Sequence, residues 1–417
     1  MTTSTAQWIL AIGMIASGCN LCLADDWPQF LGASRNGTSA EKGLISVWPT
    51  AGPEILWKTP LGVGMSGISV VGDHAFTMYQ DDENQFVAAM KVSDGSIAWQ
   101  TPVAPAYSNA MGHGPRATPT ISGDSVVTYS GEGVLASLNK DSGKLNWKVD
   151  VPKELGGKPS EYGMSCSPLV VGEWIVVHSG TRQAAVAAFR LSDGKRAWKA
   201  GQGTAGYSSP VLMTLNNAPT VVAFVGASVL GIDPATGNTL WSYEYVTDYD
   251  CNTASPVQLS SDTVLISAGE NHGSTVLKIS GSPASGQKAA PVWKSPGKDS
   301  QLRAEWQTPV IHNGHLYALD NIGSAGPITN LVCIRLSDMK TTWQKNRFGK
   351  SNLTLADGKL FMTDMDGELM IVEATPSAFT LLSKSEPVIE TTRQAPAISD
   401  GRLYVRDDKT VVCVKVK

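Results

Sequence analysis

The chain has few charged residues and no region in which charge of one sign collects. Asp, Glu, Lys and Arg make up 17% of its 417 residues, against about a quarter in ordinary soluble domains. The formal net charge is −4, and the sequence has no basic stripe of the kind that marks a nucleic-acid-binding surface. These absences exclude a nucleic-acid interface and a charged interaction tail from the expected functions.

Long hydrophobic runs are also missing. The longest, residues 8–18, is uncharged and has about eleven residues, which suits the core of a signal peptide and falls short of a membrane span. Cys22 and Ala24 place small residues at the −3 and −1 positions of a cleavage site before Asp25. We therefore predict a signal peptide over residues 1–24, although no Lys or Arg precedes the apolar run.

Cysteine is scarce and never paired in the sequence. Cys19 ends an Ala-Ser-Gly-Cys stretch that could be lipidated, so a lipid anchor is one alternative to simple secretion. A buried or disordered N-terminal segment is the other. The remaining cysteines lie far apart and form no CxxC motif: Cys166, Cys251, Cys333 and Cys413. Each lies in or beside a predicted strand, so we predict buried free thiols, with disulfides in an oxidising compartment as the alternative.

Gly, Pro and Trp are abundant, with 41, 23 and 12 residues, and they recur in an internal repeat. The segments AMKVSDGSIAW, SLNKDSGKLNW, AFRLSDGKRAW and GIDPATGNTLW end at Trp99, Trp147, Trp198 and Trp241. A fifth, CIRLSDMKTTW, has Met339 where the others have Gly. Each segment shows a short strand, a polar turn and a second strand that ends in Trp. This is typical of a β-hairpin in which Gly supplies the positive φ of the turn.

The repeat recurs at the length of one four-stranded blade. Trp57, Trp293 and Trp343 continue the series, neighbouring Trp residues stand 42 to 52 residues apart, and Leu381–Leu382 occupies the last, eighth station. A second pattern keeps the same spacing, a Pro after Ser, Thr or Ala that opens the first strand of six blades: 118–121, 167–170, 209–212, 255–258, 308–311 and 395–398. Pro donates no hydrogen bond, which suits an edge strand facing a central channel.

These patterns predict an all-β fold, an eight-bladed β-propeller over residues 53–417 that follows an N-terminal extension over 25–52. Seven blades is the alternative. The C-terminal segment from Ala395 provides three strands and no Trp, and the segment around Trp57 provides one strand and no blade. We predict that this N-terminal strand closes the last blade, because closure removes the open sheet edges.

The repeat, roughly A-x-D-x-x-[ST]-G-x-x-x-W, resembles the tryptophan-docking motif of quinoproteins that use pyrroloquinoline quinone (PQQ) and of PQQ-like propeller proteins. The opening DDWPQFLGASRNGTSAEKGL, with GHGPRATPT and DGRLYVRDDKTVVCV, is similar to a set of secreted bacterial, planctomycete-like members. The resemblance implies that each Trp wedges between neighbouring blades. It also implies an architecture related to the propeller lipoprotein of the outer-membrane β-barrel assembly machine, whose role is protein interaction.

The quinoprotein alcohol dehydrogenases of this family also carry adjacent cysteines, a Ca²⁺ site and a catalytic Asp. This sequence has no adjacent cysteines and no calcium motif, and we expect its HxxH at His312 and His315 to be a surface hairpin, so no metal site is predicted. We predict a monomeric, non-catalytic scaffold that binds envelope proteins, in the periplasm or outside the cell. A PQQ-dependent or PQQ-like oxidoreductase is the alternative.

The candidate ligand site follows from aligning the first strands of the eight blades. One residue per blade lies two positions before the Ser/Thr-Pro slot: Met65, Arg116, Ser165, Tyr207, Thr253, Trp306, Lys350 and Arg393. This ring has three cations, two aromatic residues and no carboxylate. We predict that Arg116, Tyr207, Trp306, Lys350 and Arg393 bind a small anionic or planar ligand at the channel mouth, PQQ being one possibility. The alternative is a structural network in which these cations pair with Asp250, Glu305 or Glu161.

Overall fold

Short antiparallel strands follow one another along the chain and form eight separate sheets. The computed structural model describes residues 26–323 and 328–417. The predicted signal peptide, with Cys19 and Cys22, lies outside the described residues. The prediction of an eight-bladed β-propeller is confirmed, with four strands in each blade and one additional short strand beside the seventh.

We number the blades 1 to 8 in chain order of their inner strands and give the strands of each from the channel outwards. Blade 1 has Ser69–Val71, His74–Gln80, Asn84–Lys91 and Ile97–Pro105. Blade 2 has Thr120–Ser122, Ser125–Tyr129, Val134–Asn139 and Leu145–Asp150. Blade 3 has Leu169–Val171, Trp174–Thr181, Ala184–Arg190 and Arg196–Ala200. Blade 4 has Val211–Leu215, Ala218–Val225, Ser228–Ile232 and Thr239–Glu244.

The second half of the ring repeats this plan. Blade 5 has Val257–Gln258, Thr263–Ala268, Gly273–Ser282 and Gly286–Pro296. Blade 6 has Val310–His312, His315–Ile322, Ile328–Arg335 and Lys340–Lys345. Blade 7 has Ser351–Ala356, Lys359–Asp364, Leu369–Glu373 and Leu381–Lys384. Blade 8 has Ala397–Ser399, Arg402–Arg406, Thr410–Lys415 and Ile55–Pro60. The helical segments of the described chain are a turn of α-helix, Val151–Glu154, and a 3₁₀ turn, Asp248–Asp250.

The hydrophobic core is divided among the junctions between blades. Eight clusters of buried side chains are present, and each joins residues of two neighbouring blades, including the junctions of blade 8 with blades 7 and 1. The two middle strands of each blade are almost entirely buried because both of their faces pack against other blades. Such strands therefore read as continuous apolar runs rather than as an alternation of apolar and polar residues.

The tryptophans of the repeat join each blade to the next. Five of them donate their indole N–H to a backbone carbonyl of the following blade at 2.8 to 3.0 Å: Trp57, Trp99, Trp147, Trp198 and Trp343. The turn glycine of the following repeat lies directly under four of these rings. At Gly143, for example, φ is +68° and an added Cβ would lie 2.5 Å from the Trp99 ring. The glycine therefore meets two requirements, a left-handed turn and contact with the preceding Trp.

The contact between Trp and the turn glycine changes where the sequence of the repeat is irregular. The blade that follows Trp241 has a longer outer hairpin, and the indole N–H of Trp241 has no hydrogen-bond partner within the described chain. Met339 occupies the glycine position of blade 6 with a φ of 54° and is buried. Its side chain packs in the cluster between blades 5 and 6, next to Trp293.

The N-terminal strand closes the ring, as predicted from the two ends of the chain. Ile55–Pro60 pairs antiparallel with Thr410–Lys415 as the outer strand of blade 8. Trp57 on that strand donates to the carbonyl of Val92 in blade 1 at 2.9 Å. Blade 8 is thus built from both ends of the described chain, and its outer edge is docked on blade 1.

The segment before that strand crosses the channel. Trp27 pairs with Val70 on the inner strand of blade 1, and Thr38–Ser39 pairs in parallel with the inner strand of blade 7. Between them, the buried Arg35 donates to the carbonyls of Ser167 and Pro168 of blade 3, both at 2.9 Å. Since these contacts reach three blades, the segment spans the channel from wall to wall.

Gly143→Ala is expected to destabilise the protein more than Gly123→Ala. Both glycines have positive φ, so each substitution costs about 1 to 2 kcal/mol of backbone strain. Gly123 faces open space, whereas a methyl group at Gly143 overlaps the Trp99 ring. We expect Gly143→Ala to lower the free energy of unfolding by about 2 kcal/mol more than Gly123→Ala does, as measured by chemical denaturation. Equal losses for the two variants would show that the contact between glycine and tryptophan does not hold the blades together.

Candidate functional site

A cavity of about 540 Å³ lies at one mouth of the channel. Its walls come largely from the loops that lead into the inner strands, which we call the lead-in loops. The Ser/Thr of the Ser/Thr-Pro pairs lies at the base of these loops and links them to one another. The hydroxyl of each such residue accepts a hydrogen bond from the backbone N–H of the equivalent residue in the preceding blade, at 2.9 to 3.2 Å. Four such bonds link blades 2 to 6 in succession, between Thr118, Ser167, Ser209, Ser255 and Thr308.

This row of hydroxyls gives the Ser/Thr-Pro pattern a structural reason. Each hydroxyl satisfies a backbone donor that no strand partner could reach, and the Pro that follows has no N–H that would need a partner. The row fixes the spacing between successive lead-in loops, and therefore the positions of the side chains two residues before it.

The N-terminal segment forms the floor of the cavity. Phe30 and Leu31 line it, and the chain turns sharply there, with Leu31 at a φ of 59°. Gly32 follows with a φ of +79°, and an added Cβ there would lie 2.8 Å from the Trp27 ring. The cavity therefore ends on an apolar surface provided by the segment that crosses the channel.

Four of the five predicted ligand residues line this cavity: Arg116, Tyr207, Trp306 and Arg393. Lys350 is not among the lining residues, but its ammonium lies 5.0 Å from the centre of the Trp306 ring. The guanidinium of Arg393 lies 5.2 Å from the centre of the same ring. Trp306 is therefore the aromatic group on which two of the three cations are placed. That these residues bind a ligand stays a prediction.

The cations of the site are held by carbonyls and aromatic rings. Arg116 donates to the carbonyls of Gly114 and Gly112 at 2.5 and 2.8 Å and lies 4.7 Å from the centre of the Tyr107 ring. Arg393 donates to the carbonyl of Met111 at 2.6 Å. Burial lowers the pKa of Arg116, and the charge of Arg393 acts in the same direction.

The alternative in which the cations pair with carboxylates is not what the structure shows. Within the described chain, Arg116, Lys350 and Arg393 form no ion pair with Asp250, Glu305, Glu161 or any other carboxylate. Arg116 and Arg393 are held instead by backbone carbonyls and aromatic rings, and Lys350 lies over the Trp306 ring.

Two carboxylates also line the cavity. Glu305 is only 8% exposed; its Oε1 accepts the Trp306 indole N–H at 2.6 Å, and its Oε2 has no hydrogen-bond partner in the described chain. Burial raises the pKa of Glu305; the nearby Glu270 adds to that rise and Lys350 opposes it. Glu270 itself is half-buried. An acidic wall is therefore present, which the ring of eight residues did not contain.

Cys251 lies on the same side as these carboxylates. It is half-buried and lines the cavity, unlike Cys166, Cys333 and Cys413, which are free thiols buried in the structure as predicted. Burial raises the pKa of Cys251 to about 12, with Glu270 and Glu305 contributing. The group is thus a thiol and not a thiolate at neutral pH, which disfavours nucleophilic or redox chemistry at this position.

The residues that the sequence did not reveal have two origins. Tyr162, Tyr249 and Met111 lie in lead-in loops, three to five positions before the ring residues, where loop length varies between blades. Glu270 comes from the loop between the second and third strands of blade 5. In an antiparallel blade that loop lies at the same end of the sheet as the lead-in loop, so the topology alone could have placed it near the site.

The residues that line the cavity provide only part of the site that PQQ-dependent alcohol dehydrogenases require. The cations and Trp306 suit a planar anion. The described residues contain no group of three or more His, Cys, Asp or Glu side chains that could hold a metal ion, and the single Cys251 cannot form the adjacent disulfide of the alcohol dehydrogenases. The residues present therefore do not fit the calcium-dependent quinone site, and we derive no reaction step through it.

The sequence and the fold match known proteins. The profile of a family described as "Outer membrane protein assembly factor BamB" matches residues 83–295. A curated relative, outer membrane protein assembly factor BamB of Yersinia pestis, is 23% identical over 327 residues, which cover 78% of this chain and 77% of that protein.

Two kinds of solved structure share the fold. The quinohemoprotein alcohol dehydrogenase of Comamonas testosteroni superposes with a TM-score of 0.69 and 14% identity, over 95% of this chain and 81% of that one. BamB of Moraxella catarrhalis superposes with a TM-score of 0.58 and 14% identity, over 86% of this chain and 98% of that one. At such identities these likenesses establish the eight-bladed architecture alone.

Glu305→Gln is expected to stabilise the protein at pH 7.5 and to have little effect at pH 4. Because burial raises the pKa of Glu305 in the folded protein, this carboxyl group ionises more readily in the unfolded chain. The free energy of unfolding therefore falls as the pH rises above the unfolded pKa of about 4.3. Gln keeps an acceptor for the Trp306 indole and removes the charge. Thermal unfolding across this pH range checks the prediction, with the exposed Glu244→Gln as control. A loss of stability at pH 7.5 would instead mean that attraction to Lys350 outweighs burial.

Proposed function

The chain belongs to the family described as outer membrane protein assembly factor BamB, and from that membership we propose that it is a non-catalytic binding scaffold that holds proteins together in the bacterial cell envelope. The observation that carries the proposal is a complete docked propeller in which the described residues contain neither the metal-ligand group nor the adjacent cysteines of the quinoprotein dehydrogenases. A closed eight-bladed ring without open sheet edges offers a rigid surface on which partners can bind.

The location in the envelope rests on the family and on the sequence. The relatives are named for outer membrane protein assembly, and residues 1–24 carry the pattern of an export signal. In the described part of the chain, no helix has the length and apolar character needed to cross a membrane. We therefore place the propeller, residues 53–417 with the extension at 25–52, in the periplasm or outside the cell, secreted or held by a lipid anchor.

Exposed apolar residues on the outer side of blades 4 and 5 indicate where a partner would bind. Val246, just after the outer strand of blade 4, is 60% exposed, and Val292, on the outer strand of blade 5, is 58% exposed. The two outer strands lie side by side. Neighbouring exposed apolar side chains can form the centre of a protein interface, where charged residues are depleted.

A photo-crosslinking amino acid at Val246 or Val292 is expected to capture proteins of the outer-membrane assembly machinery in native envelopes, identified by mass spectrometry. The same amino acid at Arg182, an exposed polar position on blade 3, serves as the control and is expected to capture few or none. The proposal would be contradicted by equal capture at all three positions. It would also be contradicted if pure protein given PQQ and Ca²⁺ reduced an electron-accepting dye with turnover.

A further inference from the structure

The charges in and beside the channel cavity come from two parts of the ring, which meet at Trp306. The cations come from adjoining blades: Lys350 leads into blade 7, Arg393 into blade 8 and Arg116 into blade 2. Met65, which leads into blade 1, contributes a thioether between them, and its sulfur lies 3.5 Å from a guanidinium nitrogen of Arg393. No carboxylate lines this half of the cavity among the described residues.

The opposite half carries carboxylates and tyrosines. Glu270 and Glu305 belong to blades 5 and 6, and three tyrosines come from the lead-in loops of blades 3 to 5: Tyr162, Tyr207 and Tyr249. The rings of Tyr162 and Tyr207 lie 5.6 Å apart, and the hydroxyl of Tyr207 accepts the backbone N–H of Tyr162 at 3.2 Å. Carboxylates beside electron-rich aromatic faces form a surface that attracts an ammonium group.

The acidic half is not neutralised by the protein. The Glu270 carboxylate forms no hydrogen bond or ion pair with any described residue, and Oε2 of the buried Glu305 has no hydrogen-bond partner. A buried carboxylate oxygen without a donor is costly, so a ligand that supplies the donor is favoured. Among the described residues, no carboxylate forms an ion pair with Arg116, Lys350 or Arg393.

We propose that this cavity binds a small zwitterion, an amino acid or short peptide with both ends free. The carboxylate would lie between Arg116 and Arg393, the ammonium against Glu270, Glu305 and the tyrosines, and the side chain on the floor formed by Phe30 and Leu31. The volume of about 540 Å³ is within the usual range for small-ligand sites. This site is additional to the proposed scaffold function and does not depend on it.

Ligands of a single charge satisfy the cavity less well. A simple anion would meet the arginines but would leave Glu270 and Glu305 unpaired on the facing wall. A simple cation would meet the carboxylates and be repelled by Arg116 and Arg393. Because close like charges in a partly buried site oppose binding strongly, the two halves select a molecule that carries one charge of each sign.

The probe is phenylalanylglycine, compared with its N-acetyl and C-amide forms, which remove one charge each and keep the apolar side chain. Calorimetric titration and thermal shift of the full chain measure binding. The free dipeptide is expected to bind at least about tenfold more tightly than either capped form. Equal or tighter binding of the N-acetyl form would overturn the proposal in favour of an anion site. Equal or tighter binding of the amide form would overturn it in favour of a cation site. The proposal also fails if none of the three, nor leucylglycine, binds at millimolar concentration.

Two variants assign the ends of the ligand. Glu270→Gln is expected to weaken binding of the free dipeptide by about tenfold and to leave the N-acetyl form unaffected or slightly tighter. Arg393→Gln is expected to weaken the free dipeptide and not the amide form. Glu244→Gln and Arg182→Gln, both exposed and not among the residues that line the cavity, are the matched controls. Loss of binding to all three probes in both variants would show a general structural effect and contradict the assignment. The Glu270 side chain has no hydrogen-bond or ion-pair partner among the described residues, so its variant is expected to keep the wild-type melting temperature.

Discussion

The guanidinium of Arg406 holds the seam at which the ring closes. Arg406 lies at the end of the second strand of blade 8 and is completely buried. It donates to the hydroxyl of Thr77 and the carbonyls of Met78 and Gly64 in blade 1, each at 2.8 Å. Burial lowers its pKa to about 10, so it remains charged at neutral pH. The rest of the structure depends on this seam, because every other junction is formed by consecutive blades and this one joins blades that are distant in sequence.

A buried charge is expensive unless all its donors are used. Arg406 meets that condition with a forked set of carbonyl and hydroxyl acceptors that a Lys could not reach together. A related arrangement occurs at Arg35, whose buried guanidinium donates to two carbonyls of blade 3 while its Nε has no hydrogen-bond partner in the described chain. Arg35 uses carbonyls that come just before the inner strand of blade 3, whereas Arg406 uses groups of the second strand of blade 1 and of the loop that leads into that blade. One arginine thus fixes the cavity floor and the other fixes the seam.

The seam also determines the positions of several side chains around the cavity. Arg393 leads into blade 8 and donates to Met111 in the lead-in loop of blade 2, and Gln394 donates to the carbonyl of Met65 in that of blade 1. The cationic half of the cavity is therefore assembled across the closing junction. The acidic half is built on consecutive blades, joined through their row of hydroxyls. The two parts of the cavity wall are thus held in place by different contacts.

The sequence predicted the fold far better than the site. The number of blades and the closure could be predicted because Trp99, Gly143 and their equivalents form both a local turn and a contact between blades. The same residue types therefore recur in each repeat. The ring positions, Arg116 and Arg393 among them, followed from aligned strand starts. Glu270, Tyr249 and the floor at Leu31 did not follow, because they depend on loop lengths and on a segment that belongs to no repeat. The alternative of ion pairs with Asp250, Glu305 or Glu161 is not realised at Arg116 and Arg393 in the described chain, since both guanidiniums donate to nearby carbonyls.

The most direct test of this account is the unfolding free energy of Arg406→Met, measured by chemical denaturation beside Arg182→Met, an exposed control on blade 3. The account predicts a loss of about 3 kcal/mol or more for Arg406→Met, because several buried acceptors lose their charged donor, and a change below about 0.5 kcal/mol for the control. It also predicts that Arg406→Met speeds up amide hydrogen exchange, relative to wild type, more in blades 8 and 1 than in blades 3 and 4. An Arg406→Met protein as stable as wild type, with unchanged exchange at the seam, would contradict it.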